Sequence, residues 1–327
     1  MSRRPPRFFT VGLVVVAVSF VFGLLSVFTV GLSDRLTRVS PDCGGGYRGA
    51  TPASFDAWLD STPYLMPDYQ EVRFPSRDPA ITIDAWWVPG PSPDAPAVVL
   101  AHGLGECKRA TTVLFPAGAL HRHGFAVLLI DLRDEGSSTV DNGCFAGGAG
   151  EGRDMLGAWD WLHGVKGIAA DRIGLFGVSL GAGAAIIAMG AEPRVAAVWE
   201  DSGFADLSAV LRHQQGSILI PPFITDVALG LGRLRGAYVP TRPVDSLERL
   251  AGRPIAIVAG EADDAVPVEQ ARQLSAAATA HGSQPVVWIL PGVGHVGAMR
   301  AAPAEYERRL AAFFGDSLGG TDPISDP

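Results

Sequence analysis

Lysine is almost missing from this chain of 327 residues. Lys108 and Lys166 are the only two, and although arginine is common the formal charge is −8. No stretch gathers positive charge into the stripe that tracks a phosphate backbone, which argues against a nucleic-acid partner. Cysteine is scarce too: Cys43, Cys107 and Cys144 are too few for a disulfide framework and lack zinc-ligand spacing. In an oxidising compartment one bridge is open to them. Cys107 with Cys144 is the expected pair, because their parent loops leave strand ends on one edge of the expected sheet; three free thiols is the alternative. Internal repeats are absent. Charged residues make up only 18% beside 47% hydrophobic, which argues against disorder and fits a packed globular protein.

Charge vanishes altogether over residues 8–32, FFTVGLVVVAVSFVFGLLSVFTVGL, a run longer than the roughly 20 residues that cross hydrocarbon as a helix. Arg3, Arg4 and Arg7 precede it, which predicts residues 1–7 in the cytoplasm and the rest of the chain across the membrane. Arg35 and Arg38 pull the other way. A cleavable signal is the competing reading, but the run exceeds the roughly 7–15 residues of an ordinary signal core, and Gly31-Leu32-Ser33 is a poor cleavage site. Either reading puts the folded part outside the cytoplasm, as a single-pass membrane protein or, if cleaved, a secreted one. Cys43 follows Ser40-Pro41-Asp42 and is no lipoprotein acceptor. Residues 33–68, rich in Pro, Gly, Ser and Asp, read as a linker.

Beyond the linker, apolar runs of strand length recur at 70–74, 81–88, 97–101, 126–131, 173–176, 195–199, 255–259 and 286–290. Helices are expected near 109–123, 150–163, 181–189, 268–280 and 302–314. The first two strands share a short turn and should form a hairpin. The later ones are continuously apolar, as in a parallel sheet buried on both faces, so the alternation predicts an α/β fold. Residues 204–250, with Pro221-Pro222 and Gly230-Leu231-Gly232, break the rhythm and should form a small cap. The folded domain is placed at 69–315 and a flexible tail at 316–327.

The chemistry concentrates at Gly177-Val178-Ser179-Leu180-Gly181, a G-x-S-x-G between an expected strand and an expected helix. A serine on so sharp a turn needs neighbours without Cβ atoms if its Oγ is to project above the sheet. Its hydroxyl then needs a base and an orienting acid. Asp263, with Asp264 as the less favoured neighbour, follows the strand at 255–259; His295 follows the strand at 286–290 on a Gly-rich loop. His121, His123, His163, His213 and His281 fall on expected helices or their ends. The N–H groups of Leu180 and of Leu104, in His102-Gly103-Leu104-Gly105, are the expected oxyanion donors. His102 should be a hydrogen-bonding strut of that loop.

These segments resemble the α/β-hydrolase superfamily over about residues 69–315. The likeness rests on His102-Gly103, Asp131-Leu132-Arg133 with Gly136 and Ser137, the elbow at Ser179, Gly150-Glu151 with Asp154 and Trp161-Leu162, and Glu200-Asp201-Ser202-Gly203-Phe204. It is similar to membrane-tethered members grouped with Bem46-like and dipeptidyl-peptidase-like serine hydrolases. The resemblance implies an α/β-hydrolase fold with a mostly parallel eight-stranded sheet, helices on both faces and a small cap, preceded by one N-terminal transmembrane helix. The expected activity is that of a serine hydrolase on small carboxylic esters, carboxylesterase-like, through an acyl-enzyme on Ser179 and without metal or organic cofactor. An amide or thioester substrate, transfer to another acceptor, peptidase action, and a silent tethered scaffold are the alternatives. Asp134-Glu135 stands where such proteins commonly have Gly-His, and is expected to alter the mouth of the pocket.

Overall fold

The computed structural model describes residues 7–43, 49–217 and 220–319, leaving aside the side chains of 7–15, 17, 18, 21, 22 and 217. Eight strands form one sheet: β1 Gln70–Pro75, β2 Thr82–Val88, β3 Ala97–Ala101, β4 Ala126–Ile130, β5 Ile173–Val178, β6 Ala197–Asp201, β7 Ile255–Gly260 and β8 Val286–Leu290. The spatial order is β1-β2-β4-β3-β5-β6-β7-β8. β1 and β2 pair antiparallel, β2 meets β4 antiparallel, and all later pairs are parallel. This is the α/β-hydrolase fold.

Side-chain alternation decides which layer each strand residue joins. On one face Val99, Leu175 and Ile257 share a core with Met155 and Trp159 of α3 (Ala149–Gly164), Ile186 of α4 (Leu180–Ala191) and Leu274. On the other, Leu100, Phe176 and Val258 pack with Phe115 and the long C-terminal helix. Phe115 belongs to α2, Thr111–Arg122. Burial on both faces is why these strands read as unbroken apolar runs rather than as half-polar ones. Helices α5 (Leu207–Ser217) and α6 (Pro222–Leu234) then rise over the C-terminal ends of the strands. They share a third cluster with Phe145, Leu180, Phe204 and Val266. The chain continues through α7 (Pro243–Ser246), α8 (Glu269–Ala280), α9 (Ala298–Ala301) and α10 (Pro303–Leu318).

Three boundaries differ from expectation. Residues 50–68 are no free linker: Phe55, Tyr64 and Met66 are buried, and the Tyr64 ring meets Phe115 edge-on at 4.9 Å. Glycine at 118 on α2 makes this approach possible, since a Cβ there would overlap the Tyr64 carbonyl. At the other end, α10 runs to a buried Leu318 instead of fraying from 316; residues 320–327 lie outside the described residues. At the N-terminus the expected membrane segment falls in α1, Arg7–Thr37. Most side chains of its first half lie outside the described residues, as do residues 1–6, and among the described residues no helix is long and apolar enough to cross a membrane.

The disulfide is also corrected. Cys43 pairs with Cys107, Cα atoms 5.2 Å apart, and Cys144 is free. The reason is the path of the segment leaving α1: Val39 N–H donates to Gly143 O at 3.0 Å and Phe145 N–H to Thr37 O at 3.0 Å, so Arg38 bridges Cys144 backbone to backbone. That laces the segment past Cys144 and delivers Cys43 to the loop after β3.

Because the bridge closes a span of 64 residues, Cys43→Ser should lower unfolding free energy by about 2–4 kcal/mol. Urea melts of oxidised wild type, reduced wild type and the variant check this. The variant and the reduced protein should coincide; no difference from oxidised wild type would show that the bridge does not hold the segment.

Candidate active site

Ser179 sits between the last residue of β5 and the first of α4, at φ 52° and ψ −113°, a backbone conformation that non-glycine residues avoid. The flanking glycines explain how the turn closes. A Cβ on Gly177 would overlap the Gly181 carbonyl, and one on Gly181 would lie 2.6 Å from His102 O and 2.7 Å from Ala101 O. The turn is fixed from behind by Ser179 N–H donating to Asp201 O at 2.8 Å.

The structure brings Ser179, His295 and Asp263 together. Ser179 Oγ lies 3.0 Å from His295 Nε2, and His295 Nδ1 lies 2.7 Å from Asp263 Oδ2. The second oxygen, Asp263 Oδ1, accepts N–H bonds from Ala265 at 2.9 Å and Val266 at 2.8 Å. With the carboxylate facing Nδ1, the imidazole proton sits there and Nε2 is left to accept from the serine hydroxyl. Asp264 is exposed. His295 is 29% exposed while Asp263 is buried, so the acid that holds the ring is itself shielded from water. Such an arrangement can pass a hydroxyl proton to the ring and hold the resulting imidazolium against the acid.

Of the two expected oxyanion donors, Leu180 follows Ser179 directly in the chain and Leu104 lies on a loop packed against it. Leu180 N–H opens α4, where the helix dipole favours negative charge. The loop carrying Leu104 lies against the serine, since a Cβ on Gly103 would stand 3.4 Å from Ser179 Cβ. The neighbouring amides of that loop are taken: Gly103 N–H donates to Glu106 Oε2 at 3.3 Å and Gly105 N–H to Glu135 Oε1. Leu104 N–H between them has no protein acceptor among the described residues. His102 is fully satisfied, with Nδ1 donating to Gly103 O at 2.8 Å and Nε2 accepting Leu132 N–H at 3.0 Å. Burial pushes its pKa down, so it is a neutral strut joining the loops after β3 and β4.

Asp134 and Glu135, expected to alter the mouth of the pocket, are instead both buried beneath the surface. Asp134 Oδ1 accepts the N–H groups of Asp141, Asn142 and Gly143 at 2.7, 3.0 and 2.8 Å, which pins the turn that follows. Glu135 reaches under the oxyanion loop, and burial pushes its pKa up to about 9. Nothing in the sequence distinguishes such a support from a rim residue.

A second group escaped sequence reasoning. Asp201 accepts from Ser202 Oγ and from the Tyr306 hydroxyl, both at 2.9 Å. Trp199 Nε1–H donates to the same hydroxyl at 3.2 Å, and Ser202 Oγ accepts Val296 N–H at 3.0 Å. Burial pushes the Asp201 carboxyl up to about 6. The end of β6 thus holds both the Ser179 amide and the residue after His295. Among the described residues no group of three or more His, Cys, Asp or Glu side chains is gathered to hold a metal ion.

Comparison with known proteins follows the same lines. A family model described as the prolyl oligopeptidase family matches residues 116–321, a span that contains Ser179, Asp263 and His295. An uncharacterized protein of Mycobacterium tuberculosis is 32% identical over 241 residues, 72% of this chain and 76% of that protein. Among solved structures, an esterase of Pyrococcus furiosus superposes with a TM-score of 0.64 at 20% identity, covering 83% of this chain and 98% of the esterase. An acylaminoacyl peptidase of Pyrococcus horikoshii superposes at 0.59 and 16% identity, covering 79% of this chain and 43% of the peptidase. These two share the fold.

Glu135 supports a pH prediction. Unfolded, its carboxyl ionises in the ordinary range near 4.5, whereas the folded protein keeps it protonated up to about 9. Its contribution to stability is complete below the unfolded pKa and is lost as pH rises through the folded one. Glu135→Gln, which keeps the acceptor for Gly105, should match wild type near pH 4 and exceed it by about 1–3 kcal/mol near pH 8. Denaturant melts at both pH values read this directly; a variant weaker than wild type at the higher pH contradicts it.

Proposed function

The chain belongs to the prolyl oligopeptidase family, and from that premise we propose that it is a serine hydrolase that cleaves small carboxylic esters through an acyl-enzyme on Ser179. The observation that carries the reading is the continuous hydrogen-bonded path from Ser179 Oγ through His295 to Asp263, set on a strand-to-helix elbow. In this mechanism Ser179 Oγ attacks the ester carbonyl carbon while His295 Nε2 takes its proton. The tetrahedral oxyanion is met by the N–H groups of Leu104 and Leu180, and the imidazolium then protonates the departing alkoxide. Water repeats the sequence on the acyl-enzyme and regenerates the hydroxyl. Apolar surface near the serine suits an acyl chain: Leu104 is exposed on the loop packed against it. Peptidase action is the second reading, favoured by the family itself.

The same proposal places the domain outside the cytoplasm, tethered through residues 8–32. Three features support this: the charge-free run behind Arg3, Arg4 and Arg7, the Cys43–Cys107 bridge expected of an oxidising compartment, and the burial of Leu32, Ser33 and Leu36. Cleavage near residue 31 would leave that buried junction without the helix that enters it.

Ser179→Ala should reduce kcat/KM on short p-nitrophenyl esters by at least about 1,000-fold, with thermal stability unchanged. A fluorophosphonate should label wild type and not the variant. Retained turnover in the variant sinks the assignment, and faster turnover of aminoacyl anilides than of esters by wild type decides for the peptidase reading.

A further inference from the structure

Helix α6 has two unlike faces. Thr225, Ala228, Leu229 and Gly232 are buried, with Ala228 and Leu229 in one cluster with Leu32 and Leu36 of α1. On the opposite side Phe223, Val227 and Leu234 are 67%, 59% and 88% exposed, and exposed Gly230 lies between them. Steps of four, three and four residues put all four positions on one stripe of the helix. Three large apolar side chains aligned in water form a contact surface rather than scattered exposure.

The neighbouring helix says what covers it. Among the described side chains of α1, Val16, Phe20, Leu24, Val27 and Phe28 stand exposed along a rod that leaves the domain, apolar surface that suits hydrocarbon. α6 lies at the base of that rod and is locked to it. Arg235 pairs with Asp34 at 2.8 Å, and a Cβ on Gly232 would come within 3.1 Å of Ser33 Oγ. Around this junction Arg35, Arg38, Arg233 and Arg235 are exposed, against Asp34 and Asp226. In a chain of net charge −8 this is a local basic rim, complementary to anionic headgroups.

We propose that the stripe formed by Phe223, Val227 and Leu234 inserts into the headgroup boundary of a lipid bilayer, seating the cap on the membrane so that the Ser179 site takes acyl esters from the lipid phase. This rests on the anchor and hydrolase readings above. The geometry is that of an interfacial amphipathic helix, held at a fixed angle by the α1–α6 contact. The cap helices share one apolar cluster with Leu180, the residue after the nucleophile, so seating α6 brings the lipid surface close to the site.

The test uses the full chain in a Cys144→Ser background, where the Cys43–Cys107 bridge leaves no free thiol. Nitroxide labels are placed singly at Leu234→Cys, at Val27→Cys and at the exposed Asp171→Cys, and the protein is reconstituted in phosphatidylcholine vesicles containing phosphatidylglycerol. Accessibility to oxygen over a nickel chelate should be at least about threefold higher at 234 than at 171. A label at 234 as open to nickel as the one at 171 overturns the proposal. If 27 is then lipid-buried the anchor reading survives alone; if 27 is also open to nickel, the anchor fails with it. A 234 label shielded from both probes points to a protein on the stripe, a second copy included, and likewise overturns it. In parallel, the triple variant F223S/V227S/L234S should keep turnover of a soluble short-chain ester within about twofold while losing about tenfold or more on a long-chain ester carried in the vesicles. Equal turnover of the vesicle-borne ester by variant and wild type overturns delivery from the lipid. Wild type inactive on both esters with a lipid-buried 234 label overturns the hydrolase reading and leaves the docking supported.

Discussion

The close approach of α4 to the ends of β3 and β5 is the constraint on which the rest depends. Ser179 is held at positive φ, which costs about 1–3 kcal/mol for a residue with a side chain. The conformation persists because its surroundings leave no alternative: Gly177 and Gly181 are so tightly enclosed that added methyl groups would overlap backbone. The Ser179 amide is meanwhile tied to Asp201 O. The same contact sets three features together. It sets Ser179 on the sharp turn between β5 and α4, places the first residue of α4 directly after it, and presses the loop of Gly103 against the serine. The two cores on the faces of the sheet supply the rigidity that keeps this contact closed.

Around the elbow the protein stations acids that it keeps from ionising. Burial pushes Glu200 up to about 8, with Oε2 accepting Gly203 N–H at 2.8 Å, and Glu135 higher still. In a chain of net negative charge, ionised groups at these positions would repel an oxyanion forming on Ser179. Protonated, they brace backbone amides without opposing it. Asp201 differs in degree: hydrogen bonds from Ser202 and Tyr306 work against the burial that raises its pKa. Buried acids thus divide by role, one facing the imidazole and the others holding the loops that frame the serine.

Much of this fold can be read from the sequence because its determinants are local. Continuous apolar runs bounded by turns place all eight strands, and the central β3, β4, β5 and β7 are unbroken because both their faces are buried. The serine is legible from the glycines its turn requires, and Asp263 and His295 from loops that follow strand ends. What escapes depends on the path of the chain through space. Cys107 and Cys144 share a sheet edge in the sequence reading, but the segment carrying Cys43 is tied down by pairing of residues 37–39 with residues 143–145 and by packing of Tyr64 on α2. Asp134 and Glu135, standing where similar proteins commonly have Gly-His, read as mouth residues until the fold brings them to the amides that donate to them. Tyr306 looks like any aromatic on an amphipathic helix until Asp201 is found opposite its hydroxyl.

The N-terminal segment and the candidate site are mechanically one unit. The Cys43–Cys107 bridge joins the chain just beyond α1 to the residue that follows Glu106, and Glu106 accepts the Gly103 amide. The next residue, Lys108, is buried between Asp84 and Asp131, its Nζ 2.5 Å from each, with its own N–H donating to Asp131 at 2.8 Å. A buried charge of this kind cannot shift without leaving its partners unpaired, at a cost of several kcal/mol. The loop that offers Leu104 is therefore clamped at its C-terminal side by a covalent bond and a desolvated ion cluster in succession. The segment before the sheet and the loop beside Ser179 are thus held by one continuous set of bonds.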